Sequence, residues 1–92
     1  MVSITRVRQH TLDPVVARAR VEQIAAKLAD RFGARCRWDG DRLCVDHTSV
    51  QGALSLTAHQ VTLEAELRFP VSLLRTQIET EIDRLMEREL SA

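Results

Sequence analysis

The sequence predicts an α+β fold: a two-layer sandwich with an antiparallel sheet of four to five strands and two helices on one face, in the order βαββββα. Three observations carry this prediction. Residues 50–56 and 61–69 alternate apolar and polar side chains with period two. Two longer stretches, after Pro14 and after Pro70, repeat their apolar residues every three or four positions. Between them, Gly40-Asp41 separates two short β-prone runs, the pattern of a tight hairpin.

The first strand is expected from Ile4 to His10, where Ile4, Thr5 and Val7 are β-prone. Its alternation is imperfect, because Ile4 shares a face with Arg6 and Arg8 while Thr5 shares the other with Val7. A bulge or an edge position reconciles this. Asp13-Pro14 then starts a helix: Asp13 supplies the N-cap acceptor, and Pro14 at the first helical position loses no needed hydrogen bond. Ala17, Val21, Ile24, Ala25, Leu28 and Phe32 form its apolar stripe, with Arg18 and Glu22 spaced as an i,i+4 pair off it. Gly33 is placed to end it in a left-handed conformation.

The hairpin pairs Ala34–Asp39 with Arg42–His47 around a type II′ turn. In that register Trp38 faces Leu43, Cys36 faces Val45 and Asp39 faces Arg42. The neighbouring Asp39-Gly40 turn preserves the same two faces. Cys36 and Cys44 fall on opposite faces and cannot be bridged, so free thiols are expected. A loop of residues 57–60 pairs Leu56 with Val61 and Leu54 with Leu63. Pro70 stops the last strand. From Val71 onward Leu74, Ile78, Ile82, Leu85 and Met86 form the second stripe. Both helices belong on the apolar face of the sheet, and the first strand is expected beside the last, giving the order 2-3-4-5-1. That order is expected to bring Arg6 and Arg8 near Glu64 and Glu66 on the wet face. The topology is a shortened relative of the helix-grip arrangement.

The 92 residues, 10.4 kDa, make a single domain over residues 1–92. Hydrophobic residues at 45% and charged residues at 28% are those of a folded soluble domain. Thirteen basic and thirteen acidic side chains cancel, which argues against a dedicated binder of nucleic acid or anionic membrane. The zero conceals an asymmetry. Residues 1–46 hold nine basic and six acidic side chains, and residues 47–92 hold four and seven. Complementarity between the two helices within one molecule, or between two molecules, follows. No apolar run reaches the length of a membrane span, and no secretory leader is read before His10, so a cytoplasmic location is expected.

Chemistry-bearing patterns are sparse. Ser3, Ser49, Ser55, Ser72 and Ser91 lie in no glycine-flanked nucleophile turn, and Gly33, Gly40 and Gly52 are isolated. His10, His47 and His59 are scattered, and are expected as surface imidazoles; the cysteines are expected as small buried thiols rather than metal ligands. Glu64 and Glu66 share one exposed strand face, whereas acid–base catalysis needs carboxylates in different environments. Arg35, Arg37 and Arg42 share the wet face of the hairpin and are candidate anion-binding residues, but no aromatic residue is expected beside them to stack a base. Trp38, Phe32, Phe69, Leu54, Leu63, Ile78 and Ile82 are expected to fill the space between sheet and helices.

Several segments in order resemble one family. They are His10-Thr-Leu-Asp-Pro, Ala17-Arg-Ala-Arg-Val-Glu, Arg35-Cys-Arg-Trp-Asp-Gly-Asp, Val50-Gln-Gly-Ala-Leu, the Glu64/Glu66 strand and the terminal amphipathic helix. Together they look like the polyhydroxyalkanoate (polyhydroxyalkanoic acid) system proteins of the granule-region type, over nearly the whole chain. Val15-Val16 departs from the polar or acidic residues more usual there. The resemblance implies a bacterial, non-enzymatic accessory protein of polyester storage that binds the granule, a granule protein or an acyl intermediate. It implies no catalytic residue and no cofactor. A granule binder needs exposed apolar side chains, and Val15, Val16 and Val71 are the candidates if they lie outside the core. Two other readings are an apolar-ligand carrier of helix-grip type and a homodimeric interaction module.

Overall fold

The computed structural model describes residues 2–90, apart from the side chain of Phe32. The strands and helices are β1 (Val2–Gln9), α1 (Pro14–Phe32), β2 (Arg35–Asp39), β3 (Arg42–Asp46), β4 (Val50–Leu56), β5 (Gln60–Leu67) and α2 (Arg75–Leu90), with a 3-10 turn (Val71–Leu74) before α2. All five strands form one antiparallel sheet in the order β1-β5-β4-β3-β2. The two helices lie side by side on one face, α1 over β2–β4 and α2 toward β1.

Local chemistry explains most boundaries. The Asp13 carboxylate accepts from the Val15 amide at 3.3 Å and caps α1, and Gly33 ends it at φ +68°. Gly40 takes φ +63° while Asp41 keeps a negative φ, as a type II′ turn requires. The registers Trp38–Leu43, Cys36–Val45, Asp39–Arg42, Leu56–Val61 and Leu54–Leu63 are those the alternation predicts. Both cysteines are free, Cys36 on the helix side of the hairpin and Cys44 on the open side.

Ile4, Val21, Ile24, Leu54, Val61, Leu67, Ile82 and Met86 are the largest fully buried side chains. Each contributes about 1.5–3 kcal/mol of burial. Gly52 is the tight point of the sheet: a Cβ there would stand 2.9 Å from the Glu64 carbonyl oxygen and 3.4 Å from the Ala65 Cβ. Gly52→Val is therefore expected to lower stability by about 1–3 kcal/mol, read as a lower urea midpoint at unchanged slope.

Of the two ways to reconcile the alternation of β1, the edge position holds: the strand carries no bulge and keeps continuous register from Val2 to Gln9. Other expectations are corrected. Because Ile4 enters the core, Arg6 and Arg8 point to the same side, toward α2, while Ser3 and Thr5 stand beside Glu66 and Glu64. β5 stops at Leu67, so Phe69 leaves the alternation and is exposed. Leu74 belongs to the 3-10 turn and is exposed too, and the helical stripe begins only at Ile78. Trp38 is half-buried at the seam of α1 and the hairpin, where Arg18 stacks 3.8 Å from its ring centre and Glu22 accepts its indole N–H at 2.7 Å. Arg18 and Glu22 thus serve the tryptophan and do not pair with each other. The expected core position of the Phe32 side chain lies outside the described residues.

Candidate functional site

The candidates named from sequence fall on three separate surfaces. Val15 and Val16 begin α1 and are 77% and 41% exposed. Arg35, Arg37 and Arg42 are exposed on the open face of the sheet, opposite the helices. Val71 is packed against the core, so it is a foot of its turn rather than a free apolar contact.

The stronger apolar site is one that periodicity hides. After β5, the Arg68 amide donates to the Ser49 carbonyl at 2.8 Å, Ser72 to Arg68 at 3.0 Å and Leu73 to Pro70 at 3.1 Å. These bonds fold residues 68–74 into a compact turn. Val71 points inward, and Phe69, Leu73 and Leu74 are left 76%, 74% and 43% exposed. Leu74 also lines a groove of about 50 Å³ with Leu28, Arg31, Gln77, Ile78 and Glu81, which Arg31 and Glu81 span at 3.7 Å. The signal in the sequence is the run Phe69-Pro-Val-Ser-Leu-Leu, with four large apolar residues in six positions and neither a strand nor a helix period.

Charge from the basic half is spent on the acidic helix. Arg6 bonds Glu79 and Asp83, Arg8 approaches Asp83, Arg20 and Lys27 converge on Glu89, and Arg31 meets Glu81. Glu89 is buried. Burial pushes its carboxyl up, but Lys27 at 3.2 Å and Arg20 at 3.5 Å outweigh it and hold the group below the usual carboxylate range. Hydrogen bonds from Arg75 and Arg6 hold Glu79 low as well. A depressed carboxyl stabilises the fold fully above its ordinary value, near 4.5, and loses that contribution as pH falls through the folded value. Melting temperature is thus expected to drop as the pH falls below about 4.5, and less steeply in Glu89→Gln. Circular dichroism melts across that range check this.

His10 is a buried ring rather than a surface one. Its Nδ1 accepts from the Leu12 amide at 3.2 Å, so Nε2 carries the proton donated to the Thr57 carbonyl at 3.0 Å. It ties the start of α1 to the β4–β5 loop. Cys36 is exposed rather than buried; its thiol, raised by partial desolvation and Asp30, donates weakly to the Ala25 carbonyl at 3.7 Å. Among the described residues no group of three metal-ligating side chains converges. Ser91 lies outside the described residues.

Between sheet and helices, the free space lined by Val50, Leu54, Leu63, Leu67, Ile78 and Ile82 is about 40 Å³. Enclosed ligand sites take about 300 Å³ or more. The filled interior expected from the sequence is thus present, built without Phe69 and with Trp38 at its margin. No helix among the described residues is long and apolar enough to cross a membrane.

A family model described as "Putative polyhydroxyalkanoic acid system protein (PHA_gran_rgn)" matches residues 4–90. No curated protein matches the chain. Among solved structures, the NMR structure of PA4090 from Pseudomonas aeruginosa superposes with a TM-score of 0.58 at 13% identity, covering 100% of this chain and 88% of that one. At that identity the likeness is one of fold.

Proposed function

The chain belongs to the polyhydroxyalkanoic acid system protein family, and on that premise we propose that it is a non-enzymatic accessory protein that binds the polyester granule surface through the Phe69–Leu74 turn. The observation that carries this reading is the outward pointing of Phe69, Leu73 and Leu74 from one hydrogen-bonded turn at one end of the molecule. Together they offer on the order of 300 Å² of apolar surface, or up to ~7 kcal/mol of transfer before the cost of immobilisation. The turn is a fixed one, so little ordering cost is added on contact. A storage polyester offers an extended apolar surface that exposed apolar side chains can meet, and the interior volume near 40 Å³ favours this over carriage of an acyl chain.

Purified protein is expected to sediment with native granules and also with granules stripped of their proteins. Retention in the supernatant in both cases would overturn the proposal. Sedimentation only with protein-coated granules would overturn the surface contact and assign the turn to a granule protein.

A further inference from the structure

The open face of the sheet holds the charges that the helices leave over. Across one row stand Arg37, Cys44, Ala53 and Glu64, one from each of β2, β3, β4 and β5. In the next row stand Arg35, Asp46, Gln51 and Glu66. Arg35, Arg37, Glu64 and Glu66 are exposed, and none makes a side-chain hydrogen bond or ion pair with another described residue. The face is therefore basic along β2 and acidic along β5, and between them Cys44 and Ala53 are small and Ala53 is buried among its neighbours. An open groove of about 380 Å³ runs beside Gln51, Ala53, Glu64 and Glu66.

We infer that this face binds a second copy of the same chain, through a two-fold axis parallel to the strands and midway between β3 and β4. That rotation lays β2 of one copy over β5 of the other. Arg37 then meets Glu64, Arg35 meets Glu66, and Cys44 covers Ala53, each contact occurring twice. Asp46 falls opposite Gln51 and Arg42 opposite Ser55, so no like charges are brought together. Two stacked sheets stand about 10 Å apart, a gap that arginine and glutamate side chains span from opposite sides. The groove beside Glu64 and Glu66 receives the arginines.

Four strands by about five residues cover roughly 330 Å² per copy in projection. That is the size of a weak, reversible association held by charge complementarity, and it is sensitive to salt. The face lies opposite the helix layer, so this pairing is independent of the Phe69–Leu74 turn.

Sedimentation velocity at submillimolar protein is expected to give a mass near twice 10.4 kDa in ~0.02 M salt and a shift toward the monomer in ~0.5 M salt. Arg37→Glu alone and Glu64→Arg alone each place like charges at both contacts, and each is expected to be monomeric with an unchanged circular dichroism spectrum. Mixing those two variants is expected to restore a dimer, because opposite charges again face each other at both contacts between positions 37 and 64. A monomer in low salt overturns the inference. So does a dimer that both variants retain, or a mixture of the two that stays monomeric.

Discussion

Phe69→Asp combined with Leu73→Asp is expected to move the protein from the granule pellet to the supernatant, with binding weakened by at least about 100-fold. The two side chains supply most of the exposed apolar surface of the turn, at 76% and 74% exposure. Removing it forfeits several kcal/mol of transfer, and each ~1.4 kcal/mol is tenfold in affinity. Both positions lie outside the core, so the melting temperature is expected to stay close to that of the parent. Val15→Asp is the matched control. It removes the most exposed valine of the other end and places an acid in the first turn of α1, where the helix dipole favours it. It is expected to leave granule binding intact and to keep or slightly raise stability. Loss of binding in Val15→Asp with retention in the double variant would move the contact to the start of α1.

The largest effect on stability is expected at Ile82. It is fully buried on α2, beside the small void that Leu54, Leu63 and Leu67 also line. Ile82→Ala enlarges that void and is expected to cost about 3–5 kcal/mol. A domain of this size has about 5–15 kcal/mol in all, so the urea midpoint should fall by about a fifth or more. Leu73→Ala, a similar truncation on the exposed turn, is expected to cost less than about 0.5 kcal/mol. A comparable loss at the two positions would contradict the division between core and contact surface.

Where one period governs a whole element, the sequence and the structure agree. The strict alternation of β4 and β5 sets their faces and their pairing, and Asp13-Pro14 and Gly33 set both ends of α1. The disagreements that shape the candidate site fall where two signals compete. Arg6 follows Ile4 onto the helix side because a strand has no other choice, and only the acidic flank of α2 makes that position acceptable. Phe69 reads as the next step of β5, but Pro70 breaks the ladder and the chain turns before the side chain can be covered. Leu74 fits the helical stripe in spacing, yet it falls on the 3-10 turn and points outward. Both errors lie at the β5–α2 junction, and that junction is the apolar site. The hairpin arginines were legible as exposed residues, and the valines at the start of α1 only as apolar candidates. Their separation onto different surfaces depends on which face of the sheet the helices cover.

The division of charge was legible as a sum over two halves, but not as contacts. Six of the ion pairs join the basic half to the acidic helix, which is the intramolecular form of complementarity. What they leave unpaired on β2 and β5 becomes visible only once the strand order puts those strands three positions apart.

Amide hydrogen exchange with and without protein-free polyester particles tests the granule contact most directly. Slowed exchange confined to the amides of residues 69–75, with the start of α1 unchanged, is the predicted result. Slowed exchange at Val15 and Val16, or particle-bound protein with the turn unprotected, would contradict it.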